Sequence, residues 1–303
     1  MNDKTIKEYI RALEHIVQFM KNLLEEETKI IEPPTDNVET LTNLRFLAKS
    51  DTWPKAVADD LLCGDDEDSK LARAAGIIQE FINVNLVEKN FLDFGCGEGH
   101  VPFVAATLSE TKQTVGYDVS NQNWSHFDEK NIKNFLLTTN WEEVLSKGPY
   151  DVILVNDVLD HSGDPLKALQ QIQKAKAPLG KILMRCHPWA SRHGTHLYKQ
   201  LNKAYLHLVF TPDEIYAMGL KETTTQPALD PISLYRTLIK EAGLTILKED
   251  TITQPIEMFF THNPEILRRI KDKWKTSTNP LLASGEEFPR EILELQFADF
   301  TLI

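Results

Sequence analysis

Two short stretches of the sequence combine side chains that transfer protons and bind anions. Asp157, Asp160 and His161 follow an apolar run directly, and a second apolar run is followed by a cluster of basic side chains, Arg185, His187, Arg192, His193 and His196. The guanidinium groups of Arg185 and Arg192 suit a bidentate contact with an anion. An imidazole has an ordinary pKa near ~6.5, so His187, His161 or His193 could take a proton from that anion's reacting group.

A glycine-rich turn predicts a nucleotide-like cofactor. Asp93 ends an apolar run, and the residues that follow before a helical pattern are Gly95, Cys96, Gly97 and Gly99. Glycines there let the backbone approach a ligand closely, and a helix N-terminus supplies unpaired N–H groups. The dinucleotide fingerprint would place its third glycine where this chain has His100, so the spacing disfavours NAD.

The pattern acidic-x-Gly-x-Gly-x-Gly resembles the class I S-adenosylmethionine (SAM) methyltransferases. The resemblance implies that the loop wraps the methionine part of SAM, with Asp93 near the amino group. It continues at Asp118, 21 residues after Gly97 at the end of the next apolar run, where a carboxylate can accept hydrogen bonds from both ribose hydroxyls. Asn140 could accept a hydrogen bond from the adenine amino group, and Trp141 could flank the adenine ring.

The residues at the end of the apolar run 150–156 suggest which kind of atom is methylated. Asn156, which we place with the cofactor residues, begins the run Asn-Asp-Val-Leu-Asp-His, which resembles the D/E-x-x-E/D-H run of small-molecule, quinone and small-RNA O-methyltransferases. The (D/N)PP(Y/F) tetrad of base-flipping DNA methyltransferases is absent. Some relatives hold Mg²⁺ with this run and a later histidine, here Asp157, Asp160, His161 and His187; others carry the same letters without metal. Zinc bound by the histidines at 187, 193 and 196 is disfavoured, because no Cys or carboxylate nearby completes four ligands.

Short apolar runs alternate with amphipathic stretches from residue 69 onward, which predicts a doubly wound, mostly parallel α/β sheet. Helical patterns lie near 100–110, 121–131, 140–146, 164–177, 233–243 and 264–274. The predicted strands are 90–94, 113–118, 133–138, 150–156, 180–186, 244–252 and a last strand within 292–303, seven in all. The resemblance to the class I methyltransferases implies that family's seven-stranded architecture, with the glycine turn at the carboxyl end of the first strand.

The domain organisation follows from the segments outside this alternation. Residues 1–68 read as an N-terminal helical cap, with helices over 4–28, 37–49 and 54–62, and 69–303 as the SAM-binding domain. Two long insertions, 187–230 and 254–290, interrupt that domain and are expected to act as lids over the site.

The net charge and the cysteine content of the chain bear on which partners and which cell compartment are expected. The chain has 303 residues and a net charge of −12, a field that disfavours nucleic acid as a partner. Three widely spaced cysteines argue against a disulfide framework or zinc knuckle and suit a reducing cytoplasm, and neither a signal peptide nor a membrane span is predicted.

The prediction is a cytoplasmic SAM-dependent methyltransferase that acts on an oxygen, or less favourably a nitrogen, of a small or medium-sized anionic acceptor. Two alternatives stay open: RNA methylation along the basic residues between Pro165 and Pro212, and a non-catalytic SAM-binding or partner-binding module.

Overall fold

The described part of the chain forms a central sheet with helices on both faces. The computed structural model describes residues 38–58, 64, 66–121, 124, 127, 132–188, 190–192, 194–221, 232–275 and 293–303. The predicted helix over 4–28, most of the one over 121–131, and His193 lie outside these residues.

Seven strands form one sheet, as the apolar runs predict. They are β1 (Asn90–Phe94), β2 (Gln113–Tyr117), β3 (Phe135–Thr138), β4 (Tyr150–Asn156), β5 (Lys176–Cys186), β6 (Ile246–Thr253) and β7 (Leu295–Leu302). The order across the sheet is β3-β2-β1-β4-β5-β7-β6. The first five strands pair in parallel, and β7 runs antiparallel to both of its neighbours. The chain reverses its direction across the sheet between β1 and β4, the position where open α/β sheets bind ligands.

Two helices precede β1, and the other described helices lie in the intervals between strands. In chain order they are α1 (Val38–Ala48), α2 (Glu67–Gly76), α3 (His100–Leu108), α4 (Trp141–Lys147), α5 (Pro165–Ala175), α6 (Leu206–Val209), α7 (Pro212–Ala217), α8 (Ile232–Glu241), α9 (Met258–His262) and α10 (Pro264–Lys275). A π-helical turn, Ile77–Ile82, extends α2, and 3₁₀ turns cover Leu159–His161 and Gly194–Lys199.

The central strands are buried on both faces. Ile153 of β4 packs into one core, which includes residues of α5 and α8. Its neighbour Leu154 packs into the opposite core, with Ala105 of α3 and Ile82 of the π-helical turn. Successive strand side chains point to opposite faces, so unbroken apolar runs are what a sheet covered on both sides requires.

Two predicted elements differ from the structure. Strand β5 begins at Lys176, not 180, because α5 ends at Ala175 and the chain enters the sheet directly, with a register irregularity opposite β4. The predicted helix over 54–62 is absent from its described part, 54–58. There the Asn202 side chain bonds both the N–H and the C=O of Val57, which engages backbone groups that a helix would use.

The chain divides into two compact units, Met1–Phe46 and Leu47–Ile303. The predicted cap boundary at residue 68 stays a prediction. Residues 51–58, which precede that boundary, belong to the larger unit. The indole of Trp53 is buried there and donates a hydrogen bond to the Ala204 carbonyl at 2.8 Å. Within the described parts of the two predicted insertions, the chain forms α6, α7, α9 and α10; their role as lids stays a prediction.

Candidate active site

The glycine turn joins β1 to α3 and has a backbone that only glycine adopts without strain. Gly95, Gly97 and Gly99 have φ angles of +80°, +52° and +87°. A Cβ on Gly95 would collide with the Val158 side chain, whereas one on Gly97 would meet no atom within 4 Å. Gly95 therefore allows close packing against the residue after Asp157, and Gly97 borders open space that a ligand can fill.

Asp118 at the end of β2 is joined to the glycine turn, as the spacing predicts. One carboxylate oxygen accepts a hydrogen bond from the Gly97 N–H at 2.9 Å, and the other accepts one from the Ser120 N–H at 3.1 Å. The turn is also tied to β2 itself, since the N–H groups of Gly95 and Cys96 both donate to the Tyr117 carbonyl. A carboxylate oxygen accepts more than one hydrogen bond, so Asp118 retains capacity for a ligand's hydroxyl groups.

Asp93 is a buried carboxyl group at the end of β1, only 4% exposed. Burial, and then the nearby negative charge of Asp118, raise its pKa to about 8. Burial also raises the pKa of the Cys96 thiol, so this cysteine is not a reactive thiolate. The turn thus presents a carboxyl group that a bound ammonium would convert to its charged form.

The residues after β3 serve the fold in ways that their sequence did not show. Asn140 caps α4, accepting a hydrogen bond from the Glu142 N–H at 3.0 Å. Trp141 packs edge-on against Phe94 and Tyr117, with ring centroids 5.8 and 5.1 Å away. Their adenine contacts stay predictions, as does the cofactor role of Asn156, which ends β4 opposite Arg185 in the register with β5.

An exposed apolar residue borders the polar end of β2. Val119 directly follows Asp118 and is 86% exposed.

His187 and Asp157 contact each other at the carboxyl ends of β5 and β4. The imidazole Nδ1 is within hydrogen-bond distance of Asp157 Oδ1. Asp157 has a φ of +55°, and its N–H donates to the Arg185 carbonyl at 3.0 Å, which holds the residue after β4 against β5. A carboxylate in this position fixes the orientation of an imidazole ring.

A second polar cluster lies beside this pair and differs from the predicted magnesium set. Ligand atoms of Asp160, His161 and His196 all lie within 4.8 Å of one another. His161 Nε2 is 3.4 Å from Asp160 Oδ2, and the rings of His161 and His196 meet edge to face at 5.2 Å. Burial, followed by the charge of Lys199, lowers the pKa of His196 to about 4.

The two predicted anion-binding arginines are engaged by the protein. Arg185 makes a bidentate contact with Asp299 at 2.7 and 2.6 Å, and its guanidinium lies between the rings of Phe81 and Phe297 at 4.3 and 4.2 Å. Arg192, 4% exposed, donates to the Lys55 carbonyl at 2.8 Å and to Glu257 at 3.2 Å. Neither arginine is poised for an acceptor in this geometry.

A doubly wound sheet, a glycine turn after β1 and a linked carboxylate after β2 define a methyltransferase of the class I, SAM-dependent type. The chain belongs to the methyltransferase-domain family, whose pattern matches residues 67–249. The resemblance read from the glycine turn is thereby confirmed, and SAM is the methyl donor.

Solved methyltransferase structures resemble this chain weakly. A coclaurine N-methyltransferase bound to N-methylheliamine and S-adenosylhomocysteine is 14% identical, with a TM-score of 0.46 and 99% of each chain covered. A SAM-dependent methyltransferase from Mesorhizobium loti is 12% identical, with a TM-score of 0.44, covering 77% of this chain and 99% of that one. A SAM-dependent methyltransferase from Archaeoglobus fulgidus is 14% identical, with a TM-score of 0.44, covering 77% of this chain and 93% of that one.

No curated protein matches the sequence significantly. Among the described residues, no helix is long and apolar enough to cross a membrane.

Proposed function

We propose that the protein methylates an oxygen atom of a small or medium-sized acceptor, with His187 as the group that takes the acceptor's proton. The observation that carries this proposal is the contact between Asp157 and His187. It lies close to the glycine turn, because Val158, the residue after Asp157, packs against Gly95. Donor and proton acceptor therefore share one edge of the sheet.

The donor site fits SAM on its own geometry. SAM, when bound, supplies an electrophilic methyl group on a sulfonium sulfur. Gly97 borders the open space for the methionine part, Asp93 suits its ammonium group, and Asp118 suits the ribose hydroxyls. Val119 would cover one face of the adenine. These residues align the donor, and alignment is the main contribution an enzyme makes to an in-line displacement.

An oxygen acceptor needs what the Asp157–His187 pair offers. A neutral hydroxyl is a weak nucleophile until its proton leaves, and an imidazole paired with a carboxylate accepts that proton as the new C–O bond forms. The S–CH₃ bond breaks in the same step, its electron pair stays on sulfur, and the proton ends on His187. Asp157 acts as a positioning residue that holds the His187 ring by its Nδ1 atom.

The prediction of an anionic acceptor rested on Arg185 and Arg192. Both guanidinium groups are hydrogen-bonded within the protein, so this prediction loses its basis. The RNA alternative weakens for the same reason. Lys203, a third member of the basic stretch, donates to the Ser50 carbonyl at 2.6 Å.

The test is an acceptor panel scored by released S-adenosylhomocysteine, with His187→Gln, Asp157→Asn and the exposed control His262→Ala. We expect His187→Gln to lower kcat by about 10²–10⁴-fold while SAM affinity, measured by calorimetry, stays within twofold. Asp157→Asn should also lower kcat, because the His187 ring loses the carboxylate that holds its orientation. Full activity of His187→Gln on every hydroxyl acceptor that is turned over would contradict the proposal.

A further inference from the structure

We propose that Asp160, His161 and His196 bind a divalent transition-metal ion at the carboxyl edge of the sheet. The three side chains come from two separate segments. Asp160 and His161 lie in the 3₁₀ turn after β4, and His196 lies in the turn Gly194–Lys199. The fold brings one ligand atom of each to within 4.8 Å of the other two, a spacing that small side-chain rotations can close around one ion.

An independent observation at Asp160 points to a ligand. Its Oδ1 atom is buried and accepts no hydrogen bond from the described residues. A buried carboxylate oxygen without a donor costs free energy, and native proteins rarely leave one in that condition. The other oxygen, Oδ2, faces His161 Nε2 at 3.4 Å, so a cation beside the two imidazoles would satisfy Oδ1 when the carboxylate binds it through both oxygens.

The backbone conformation at His196 orients its side chain toward His161. Its φ of +59° lies in the left-handed region, which few non-glycine residues adopt, although histidine does so more often than most. Such conformations persist where the surroundings enforce them, and they concentrate at binding sites. Here the consequence is that the His196 ring meets the His161 ring at 5.2 Å.

The donor set selects the class of metal. Two imidazole nitrogens and one carboxylate suit Zn²⁺, Co²⁺, Mn²⁺ or Fe²⁺, whereas Mg²⁺ prefers oxygen ligands only. This set replaces the magnesium ligands expected from the sequence, because Asp157 and His187 are paired with each other. His196, absent from that expectation, becomes the third ligand.

Three protein ligands leave coordination positions open, as in catalytic rather than structural metal sites. A water molecule or the acceptor's heteroatom could occupy one, and coordination would lower the pKa of an acceptor hydroxyl. This role for the metal rests on the proposed function. The binding itself does not, and it is tested without SAM or acceptor.

The experiment uses the full-length protein, purified without a histidine tag and stripped with a chelator. Titration with Zn²⁺, Co²⁺ and Mg²⁺ is followed by calorimetry, and the Co²⁺ titration also by visible absorption. We expect one equivalent of Zn²⁺, d–d bands of a four- or five-coordinate Co²⁺ site, and at least a hundredfold preference for Zn²⁺ over Mg²⁺.

Variants then assign the ligands. His196→Ala and Asp160→Asn should each weaken Zn²⁺ binding at least tenfold, whereas His262→Ala, which removes an exposed histidine elsewhere, should leave it unchanged. Thermal unfolding and SAM calorimetry on the same variants identify any that fail to fold. Absence of Zn²⁺ binding to the wild type, or affinity unaffected in folded His196→Ala and Asp160→Asn, would overturn the proposal. Either result leaves the donor-site and His187 claims to their own tests.

Discussion

Asp93 shows how a single residue of the donor site lowers the stability of the free protein. Its folded-state pKa of about 8 lies above the ordinary value of 3.8, so the folded state holds a proton that the unfolded chain releases. Stability is therefore lost as the pH rises from about 4 to about 8. A bound ammonium group would favour the charged form and offset that loss.

We predict that Asp93→Asn stabilises the SAM-free protein at pH 8 and weakens SAM binding. The gain in unfolding free energy should be on the order of 1–3 kcal/mol, because an uncharged amide avoids the burial of a charge. Urea unfolding between pH 5 and 8 and SAM calorimetry measure the two effects. The exposed control Asp51→Asn should show neither, and a destabilised Asp93→Asn with normal SAM affinity would contradict the account.

Gly97 offers a test in which backbone strain and ligand contact are separated. We predict that Gly97→Ala lowers SAM affinity more than tenfold, because the new methyl group enters the open space beside the turn. Gly219→Ala is the matched control, since Gly219 also has a positive φ, +81°, and open space at Cβ, but ends α7. Both variants should lose about 1 kcal/mol of stability from the left-handed conformation. Equal SAM affinities for the two would count against the assignment.

The site residues that could be predicted are those whose positions follow from strand ends. Asp118 and Gly97 meet because parallel neighbours β1 and β2 end at the same edge of the sheet. His196 could not be placed, because it lies in an insertion without periodicity. The contact between Arg185 and Asp299 could not be predicted either, because the two residues face each other only through the antiparallel register of β5 and β7.

At the scale of elements, strands were predicted better than the short helices and loops around them. A buried strand can be predicted from an apolar run in the sequence, and the seven runs correspond to the seven strands of the sheet. The segment 54–58 is shaped by its contacts with Asn202 and Ala204, about 150 residues away in the chain. Such distant hydrogen bonds leave no local pattern in the sequence.

Arg192 joins three elements of the larger unit, and its replacement should affect stability before catalysis. It follows β5, donates to the Lys55 carbonyl and pairs with Glu257 ahead of α9. We predict that Arg192→Met lowers the unfolding free energy by about 2–4 kcal/mol, since its buried bonds are lost. Arg236→Met, which removes an exposed ion pair with Glu249, should cost less than about 1 kcal/mol. Unchanged stability together with a raised KM for the acceptor would instead restore Arg192 as an acceptor-binding residue.

For the whole molecule, the charge distribution favours a small acceptor over RNA. The net charge is −12, and three cations of the basic stretch, Arg185, Arg192 and Lys203, are bonded internally. We predict only weak RNA binding at physiological salt, in the non-specific range of roughly 10⁻⁴ M or weaker. Fluorescence anisotropy with single-stranded and hairpin RNA at several salt concentrations measures it. Submicromolar binding with a steep salt dependence would favour the RNA alternative.

We propose that the glycine turn and the carboxylate after β2 together hold SAM. Calorimetric titration of the full-length protein with SAM, beside Asp118→Ala, tests it most directly. We predict one site in the wild type and an affinity about a hundredfold lower in the variant, because two charge-assisted hydrogen bonds to the ribose are lost. A wild-type protein that binds no SAM, or a folded Asp118→Ala that binds it equally well, would contradict the account.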